Sequence, residues 1–434
     1  FRTQIVNGNS LIGARRQCYT LAQLQAGKGS AVWYENAPER ILPGQKRKFA
    51  KQVYHFLAGD PGMCSYTDKV IKSMEPEKIA FIKEWNKKFT RAFNEEECDR
   101  VLELSAQIDK LWDAHVELRR EIAEKTTDPL SVWGQPEDKV HTPMTIREKD
   151  AIYESLYLSR GAENASPYAR LKAVMDYWCA LWFWPIDKAE ELPTRREFLF
   201  DVQMMLGLDV VRVIGDKKNK GQMSVFDLMP DEDPYVQGMI ERYDRFGAVN
   251  LDRLRADFPR LRIADEVARQ QHFFHWELEF ADVFVEKGGF DLIVGNPPWI
   301  KMEWNEQAVM GDRQPLLVVK NYTANQVAKA REHEFIHQEV RSVYLAEYTD
   351  MSGTQAFLRA TQNYPTLSGA VNLYKCFIPQ AFQFCNASGI SAFVHPNSVF
   401  DDPKEASLRK LIYPRLVYHF SFVNEKNLFE INHT

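Results

Sequence analysis

The chain has 434 residues, 45% of them hydrophobic and 26% charged, and this length exceeds what one hydrophobic core usually organises. Its 27 Phe and 10 Trp exclude a disordered chain, and no apolar stretch approaches the roughly 20 residues that a membrane-spanning helix needs. The net charge of −5 is not typical of a nucleic-acid-binding protein, although local rather than total charge sets such affinity.

Basic residues occur in short clusters that a nucleic acid can contact. The clusters are Arg15-Arg16, Lys46-Arg47-Lys48, Arg195-Arg196 and Lys217-Lys218-Asn219-Lys220. Each cluster by itself is more typical of a solvated surface than of a phosphate contact.

The six cysteines predict free thiols rather than a metal site. They show no C-x-x-C spacing and have no histidine at ligand spacing. Buried free thiols are typical of a reducing compartment, so we expect a cytoplasmic protein.

The middle of the chain has the apolar spacing of helices. From Val101 to Ile122, apolar residues recur at alternating three- and four-residue steps, interrupted by His115. This pattern predicts a long helix that ends at residues 126–129 and packs as an antiparallel hairpin against a helix over residues 76–93. We interpret His115 as a packed histidine rather than a ligand.

A second helical block is predicted over residues 167–208, with an aromatic core patch at 177–186 and a break at Leu192-Pro193-Thr194. Residues 215–234 are rich in Lys, Asp, Gly and Pro and predict a surface loop.

Two histidines and two glutamates then lie close together among aromatic residues. They are His272, His275, Glu277 and Glu279. Their alternating spacing favours packing over a metal site.

Residues 290–294 form an apolar run that predicts a central parallel strand with both faces covered, and Gly295 lets the backbone leave this strand tightly. The tetrad Asn296-Pro297-Pro298-Trp299 follows. Its two prolines remove N–H donors and fix φ, so the carbonyls of Asn296 and Pro297 are held at the strand end. Ligands of open α/β sheets bind at such ends.

The tetrad predicts methyl transfer onto an amino nitrogen of a planar ring. The Asn296 side-chain oxygen and the Pro297 carbonyl can accept both hydrogens of an exocyclic amine such as adenine N6, and Trp299 offers a flat face to the ring. The other interpretation is a Pro-Pro turn after a core strand, with a tryptophan that only packs. The chain lacks the motifs of phosphate loops, HExxH metalloproteases and G-x-S-x-G hydrolases.

The tetrad resembles the catalytic motif of the amino-group DNA methyltransferases, specifically the large adenine-N6 enzymes of the Eco57I-like, type IIG restriction-modification and BREX/DISARM phage-defence type. Other segments resemble this family in matching order. They are residues 5–13 (IVNGNSLIG), 272–276 (HFFHW), 372–377 (NLYKCF), 389–398 (GISAFVHPNS), the helix start 408–412, the strand 416–423 and the loop 424–429 (NEKNLF).

The resemblance implies an α/β fold with a Rossmann-like methyltransferase sheet, and S-adenosyl-L-methionine as the methyl donor without a metal. It places Asn9-Ser10-Leu11 and Tyr374 in cofactor binding, and Trp299 and Phe429 against an adenine extruded from double-stranded DNA. It also suggests other subunits of a defence system as partners, and it does not suggest a membrane.

One part of the family pattern does not occur in this chain. The family's glycine-rich methionine-binding loop and its ribose-binding acidic residue both belong upstream of residue 8. We therefore expect a fragment with a partial sheet, in which residues 1–15 and 266–434 form the methyltransferase core and residues 16–265 a mainly helical insertion.

Two alternatives stay open. The chain is a catalytically incomplete recognition or scaffold part of a defence complex, or it methylates protein glutamine or RNA. Compact methyltransferases of the latter kind share the tetrad but lack a large helical insertion.

Overall fold

The computed structural model describes residues 5–27, 29, 31–42, 44–48, 51–128, 144–157, 165–208, 249–367 and 371–426. The surface loop predicted at 215–234 and the base contact predicted for Phe429 lie outside these residues. Within them, no helix combines the length and apolar character that crossing a membrane requires.

The described chain is mixed α/β, with many helices and small sheets. The strands are β1 (Gln17–Thr20), β2 (Glu39–Arg40), β3 (Gln52–Tyr54), β4 (Phe290–Gly295) and β5 (Cys385–Phe393). The helices of the first half are α1 (Leu21–Gln25), α2 (Lys69–Met74), α3 (Pro76–Phe89), α4 (Glu95–Thr126), α5 (Ile146–Tyr157), α6 (Pro167–Ala180) and α7 (Arg195–Met205). Those of the second half are α8 (Leu251–Asp257), α9 (Pro259–Gln271), α10 (Trp276–Glu279), α11 (Ala281–Lys287), α12 (Glu306–Gly311), α13 (Leu316–Val319), α14 (Ala324–Glu334), α15 (Gln338–Arg359), α16 (Leu373–Phe384), α17 (Ser398–Asp401) and α18 (Ala406–Ile412).

The long helix predicted from the apolar spacing is α4. It begins after Asn94, which forms a capping box with Glu97, and it ends at Thr126, as predicted. Its apolar stripe packs against α5, α6, α11 and β3. The predicted hairpin with residues 76–93 is wrong, because α3 packs mainly against the 3-10 helix Ile186–Glu191. Just after that 3-10 helix, the Pro193 carbonyl accepts from the Trp85 indole at 2.6 Å.

The aromatic patch at 177–186 lies in the core, as predicted. Trp178, Trp182 and Trp184 are fully buried, and α6 packs against α4 and α9. The predicted break is also confirmed, because α7 begins only after Thr194, which forms a capping box with Glu197.

A three-stranded antiparallel sheet in the order β2-β1-β3 lies inside the region predicted as a helical insertion. Cys18 on β1 pairs with Glu39 on one side and Tyr54 on the other. These strands are only two to four residues long, so they carry too little alternation for sequence reasoning to find.

The second sheet pairs β4 with β5 in parallel, with Leu292 opposite Ile390 and Gly295 opposite Phe393. Helices α11 and α16 pack on these strands. The prediction that both faces of β4 are covered is wrong for the described residues, because Leu292 and Val294 are 61% and 70% exposed. Residues 416–423, predicted as the next strand, form no ladder and are exposed. A Rossmann-like sheet therefore stays an expectation.

Candidate functional site

The tetrad lies where two parallel strands end side by side. Val394 donates its amide to the Gly295 carbonyl at 3.1 Å, so the loops after β4 and β5 leave the sheet at the same edge. The carboxyl edge of parallel strands is where α/β proteins bind ligands. The geometry therefore joins the 296–299 loop and the 394–398 turn in one site.

Within this loop, Asn296 and Pro298 are exposed and Pro297 is buried. Among the described residues, the Asn296 side chain forms no hydrogen bond, and the Asn296 and Pro297 carbonyls accept none. Trp299 is 37% exposed and donates its indole N–H to the Val394 carbonyl at 3.3 Å. The loop thus keeps the acceptors of Asn296 free at its surface beside an anchored aromatic ring, whereas the Pro297 carbonyl belongs to a buried residue.

A short backbone pairing fixes the far end of the loop. The Leu373 amide donates to the Ile300 carbonyl at 3.0 Å, and the Met302 amide donates to the Val371 carbonyl at 2.8 Å. Lys301 and Asn372 form an antiparallel bridge between them. The tetrad is therefore held at both ends, by β5 and by the first residues of α16.

Tyr374 is buried behind the loop rather than open to solvent. Its hydroxyl shares a hydrogen bond of 2.6 Å with the Ser398 hydroxyl, and its ring stacks on His395 at 5.5 Å. Burial raises the pKa of the Tyr374 hydroxyl. In this position Tyr374 links α16 to the 394–398 turn, and a direct role in cofactor binding stays a prediction.

Asn9, Ser10 and Leu11 lie against residues 272–276. The Asn9 amide donates to the His272 carbonyl at 2.6 Å, and the Trp276 indole donates to the Ser10 carbonyl at 2.9 Å. The Leu11 carbonyl accepts from the Tyr364 hydroxyl at 2.6 Å. Residues 5–9 form no ladder here, only an isolated parallel bridge from Asn9 to Phe273, so the predicted core strand is reduced to a single pair.

The two glycines of this segment permit its close approach to Phe274. A Cβ added at Gly8 would clash with the Phe274 ring, and one added at Gly13 would clash with the Phe274 carbonyl oxygen. The backbone can therefore lie this close to Phe274 only because both positions are glycine.

The residues present fit one end of S-adenosylmethionine. The Asn9 side chain is half-buried, its oxygen accepts only from the Leu11 amide at 3.3 Å, and its nitrogen has no partner in the described parts of the chain. An amide with a donor and an acceptor matches the edge of an adenine ring. The sequence provides no glycine-rich loop for the methionine end.

Helix α16 connects the two parts of the candidate site. Leu373 at its start binds the loop after the tetrad, and Gln380 donates to the Ser10 carbonyl. Seven residues of helix separate these contacts, which corresponds to about 10 Å along the axis. The Asn9 segment and the tetrad are thus two ends of one connected structure.

Sequence reasoning missed a polar network beneath the Asn9 segment. Of the four clustered acids and histidines, His275 and Glu277 are buried and hydrogen-bonded, whereas His272 is exposed. This agrees with the packing interpretation for the two buried residues. Their partners, Ala14 and Arg16, lie more than 250 residues away, which is why local spacing gives no signal for the network.

The described residues contain no group of three or more His, Cys, Asp or Glu side chains arranged to hold a metal ion. The six cysteines are free thiols, and burial raises the pKa of Cys64 to about 12.

Comparison with protein families gives a match over part of the chain. Residues 168–339 are similar to the family model of the Eco57I restriction-modification methylase. This region begins in α6, ends in α15 and includes the tetrad. The searches of curated proteins and of solved structures found no match.

Proposed function

We propose that this protein is an S-adenosylmethionine-dependent methyltransferase that acts on the N6 amino group of adenine in double-stranded DNA, as part of a restriction-modification or phage-defence system. The tetrad carries this proposal. It lies in the region similar to the Eco57I restriction-modification methylase, and it presents free acceptors at the carboxyl edge of parallel strands. The family match supports methyl transfer, and the acceptor chemistry of the tetrad supports an amine as the target.

The residues of the tetrad have distinct roles in this proposal. The Asn296 side-chain oxygen and the Pro297 carbonyl accept the two N6 hydrogens and turn the nitrogen lone pair outward. Trp299 stacks on the base, which has to leave the duplex because N6 is not open to in-line attack in a stacked pair. Bound S-adenosylmethionine supplies an electrophilic methyl group. The extra N6 proton leaves to water after transfer, so no strong base is needed.

Asn9 is the residue of this chain that we assign to the cofactor adenine. Its free amide nitrogen and weakly bonded oxygen support the assignment.

The alternatives to the proposed function are a recognition or scaffold subunit without activity, and a methyltransferase for protein glutamine or RNA.

Replacing Asn296 by Ala in the complete protein tests the proposal. We expect N6-methyladenine in the DNA of the expressing cells to form at least about a hundredfold more slowly, since a preorganised contact of this kind contributes roughly 3 kcal/mol to the transition state. Mass spectrometry of digested DNA measures the product. The melting temperature should not change, because the Asn296 side chain is exposed and forms no hydrogen bond in the described chain.

Asn325→Ala is the matched control, since Asn325 is also exposed and lies on α14, away from the tetrad in sequence. Normal N6-methyladenine formation by the Asn296→Ala protein would show that Asn296 has no role in catalysis. A wild-type protein that makes none, but transfers labelled methyl groups to protein or RNA, would replace the DNA proposal with the second alternative.

A further inference from the structure

Residues 272–277 hold the segment 9–16 at five points along its length, one of which is the bond from the Trp276 indole to the Ser10 carbonyl. The Asn9 amide donates to the His272 carbonyl, and the Phe274 amide donates to the Ile12 carbonyl at 2.9 Å. Further on, side chains replace the backbone as acceptors. The Ala14 amide donates to Nδ1 of His275 at 3.0 Å, and the Arg16 amide donates to Oε2 of Glu277 at 2.6 Å.

Three successive backbone amides of this segment donate to side chains rather than to backbone carbonyls. Between Ala14 and Arg16, the Arg15 amide donates to Nε2 of His55 at 3.1 Å. His55, His275 and Glu277 are all buried. Buried amides need acceptors, and here no ladder supplies them, so three side chains from distant parts of the chain have that role.

The hydrogen bonds define the protonation state of His275. Because Nδ1 accepts the Ala14 amide, it carries no proton, and the ring is neutral with its proton on Nε2. Nε2 then donates to Asp176 at 2.9 Å, and Asp176 also accepts from Lys172 at 2.7 Å. Although burial opposes the charged form of Asp176, the Lys172 ammonium and the His275 N–H hold the pKa of this carboxyl below its usual value. The ring is thereby oriented from both sides.

Glu277 is oriented in a similar way. Its second oxygen accepts from Arg40 at 3.4 Å, which balances the buried charge. Two of the three amides, those of Ala14 and Arg16, are therefore held by acceptors that are themselves fixed by a second partner.

We infer that His275 is a positioning residue that keeps Asn9 in place for recognition of the adenine end of the cofactor, an inference that rests on the proposed function. His275 lies in the middle of the contacts along residues 9–16. Losing its bond to Ala14 frees the backbone between the Phe274 contact to Ile12 and the His55 contact to Arg15. The segment that carries Asn9 then keeps only the contacts of residues 9–12 on this side, and the Asn9 side chain samples more positions relative to the ring edge.

Two variants separate this role from simple packing. In His275→Asn, the side-chain oxygen lies near the position of Nδ1 and can accept from Ala14, but the side chain cannot reach Asp176. In His275→Gln, the amide nitrogen can reach Asp176, but the acceptor at the Nδ1 position is lost. Both variants remove ring atoms from a buried site, so both lower the melting temperature.

We expect hydrogen–deuterium exchange of residues 9–16, measured without ligand in the complete protein, to rise at least about tenfold in His275→Gln and to stay near wild type in His275→Asn. We expect the affinity for S-adenosylmethionine, measured by calorimetric titration, to rank the two variants in the same order. His275→Gln binds S-adenosylmethionine about tenfold more weakly, and His275→Asn binds it within a few-fold of wild type.

Equal exchange in the two variants, or losses of affinity that simply follow their melting temperatures, would overturn the positioning role. A wild-type protein that binds no S-adenosylmethionine and methylates nothing would overturn the proposed function instead. Hydrogen–deuterium exchange tests the role of His275 without any ligand, so failure of the positioning role and failure of the proposed function are distinguishable.

Discussion

Trp299 combines exposure and anchoring in one side chain. Its ring is partly open to solvent, while its indole N–H binds the Val394 carbonyl in the adjacent loop. An aromatic face fixed in this way suits a base extruded from a duplex, since stacking offsets the energy of unpairing. In the proposed function, the free acceptors of the tetrad orient the amine, and the ring of Trp299 holds the base.

We predict that Trp299→Ala severely reduces methylation of paired DNA, whereas Trp299→Phe retains much of it. Base–aromatic stacking contributes roughly 1–3 kcal/mol, and phenylalanine keeps the aromatic face but not the hydrogen bond to Val394. Initial rates on oligonucleotides measure the effect. Placing the target adenine opposite a mismatch should partly rescue Trp299→Ala, because less unpairing energy has to be recovered.

Equal impairment of Trp299→Ala on paired and mismatched DNA would argue against extrusion onto this ring. It would favour a substrate that is already unpaired, such as RNA or a protein side chain.

At the scale of elements, a buried ion pair joins three helices. Asp201 on α7 is fully buried and accepts two hydrogen bonds from Arg260 on α9, at 2.6 and 2.8 Å. Tyr177 on α6 donates its hydroxyl to the same carboxylate at 2.9 Å. Burial raises the pKa of Asp201, whereas its hydrogen bonds to Arg260 favour the charged form. The pair therefore fixes the relative positions of helices that all belong to the region similar to the Eco57I methylase.

We predict that Arg260→Ala destabilises the protein by about 3–5 kcal/mol, because it leaves a carboxylate buried without its cation. Lys88→Ala is the control, since Lys88 forms only an exposed pair with Glu84, which contributes about 0.5 kcal/mol or less. Urea unfolding measures both. Similar free energies for the two variants would show that Asp201 is accommodated as a neutral acid.

At the scale of the whole molecule, buried neutral histidines connect distant parts of the chain. Burial lowers the pKa of His55 to about 3 and that of His115 to about 4. His55 binds the Arg15 amide, and His115 on α4 donates to the Leu278 carbonyl at 2.9 Å. Each has to take up a proton when the protein unfolds below pH 6.5, so each makes the folded state less stable as the pH falls.

Because burial also raises the pKa of Asp60 to about 6, with the opposite effect on stability, the contribution of one histidine is best measured with a variant. We predict that His115→Gln, which keeps a donor for Leu278, loses less stability on acidification than wild type. The difference should grow by about 1.4 kcal/mol per pH unit from pH 6.5 toward pH 4. Urea unfolding from pH 5 to 8 measures it, and the two curves should run parallel above pH 7.5. Parallel curves throughout would show that folding does not lower the pKa of His115.

Local patterns in the sequence predicted much of the helical structure and the loop that carries the tetrad. The period of apolar residues located α4 and its end, the Leu192-Pro193-Thr194 break located the start of α7, and a run of apolar residues before Gly295 located β4. These features depend on neighbours within one or two turns, and such information is complete in the sequence. The fixed backbone at Pro297 and Pro298, without N–H donors, follows from the proline rings for the same reason.

Packing partners were decided only by the tertiary structure. An apolar stripe does not specify its partner, so the sequence predicted α3 where the structure places α5, α6 and α11 against α4. Exposure of β4 likewise depends on which elements cover it. The three side chains that hold the amides of residues 14–16 come from positions up to 261 residues away. Histidine and glutamate are compatible with surface, metal and core positions alike, and only burial beside an unpaired amide gives them this role.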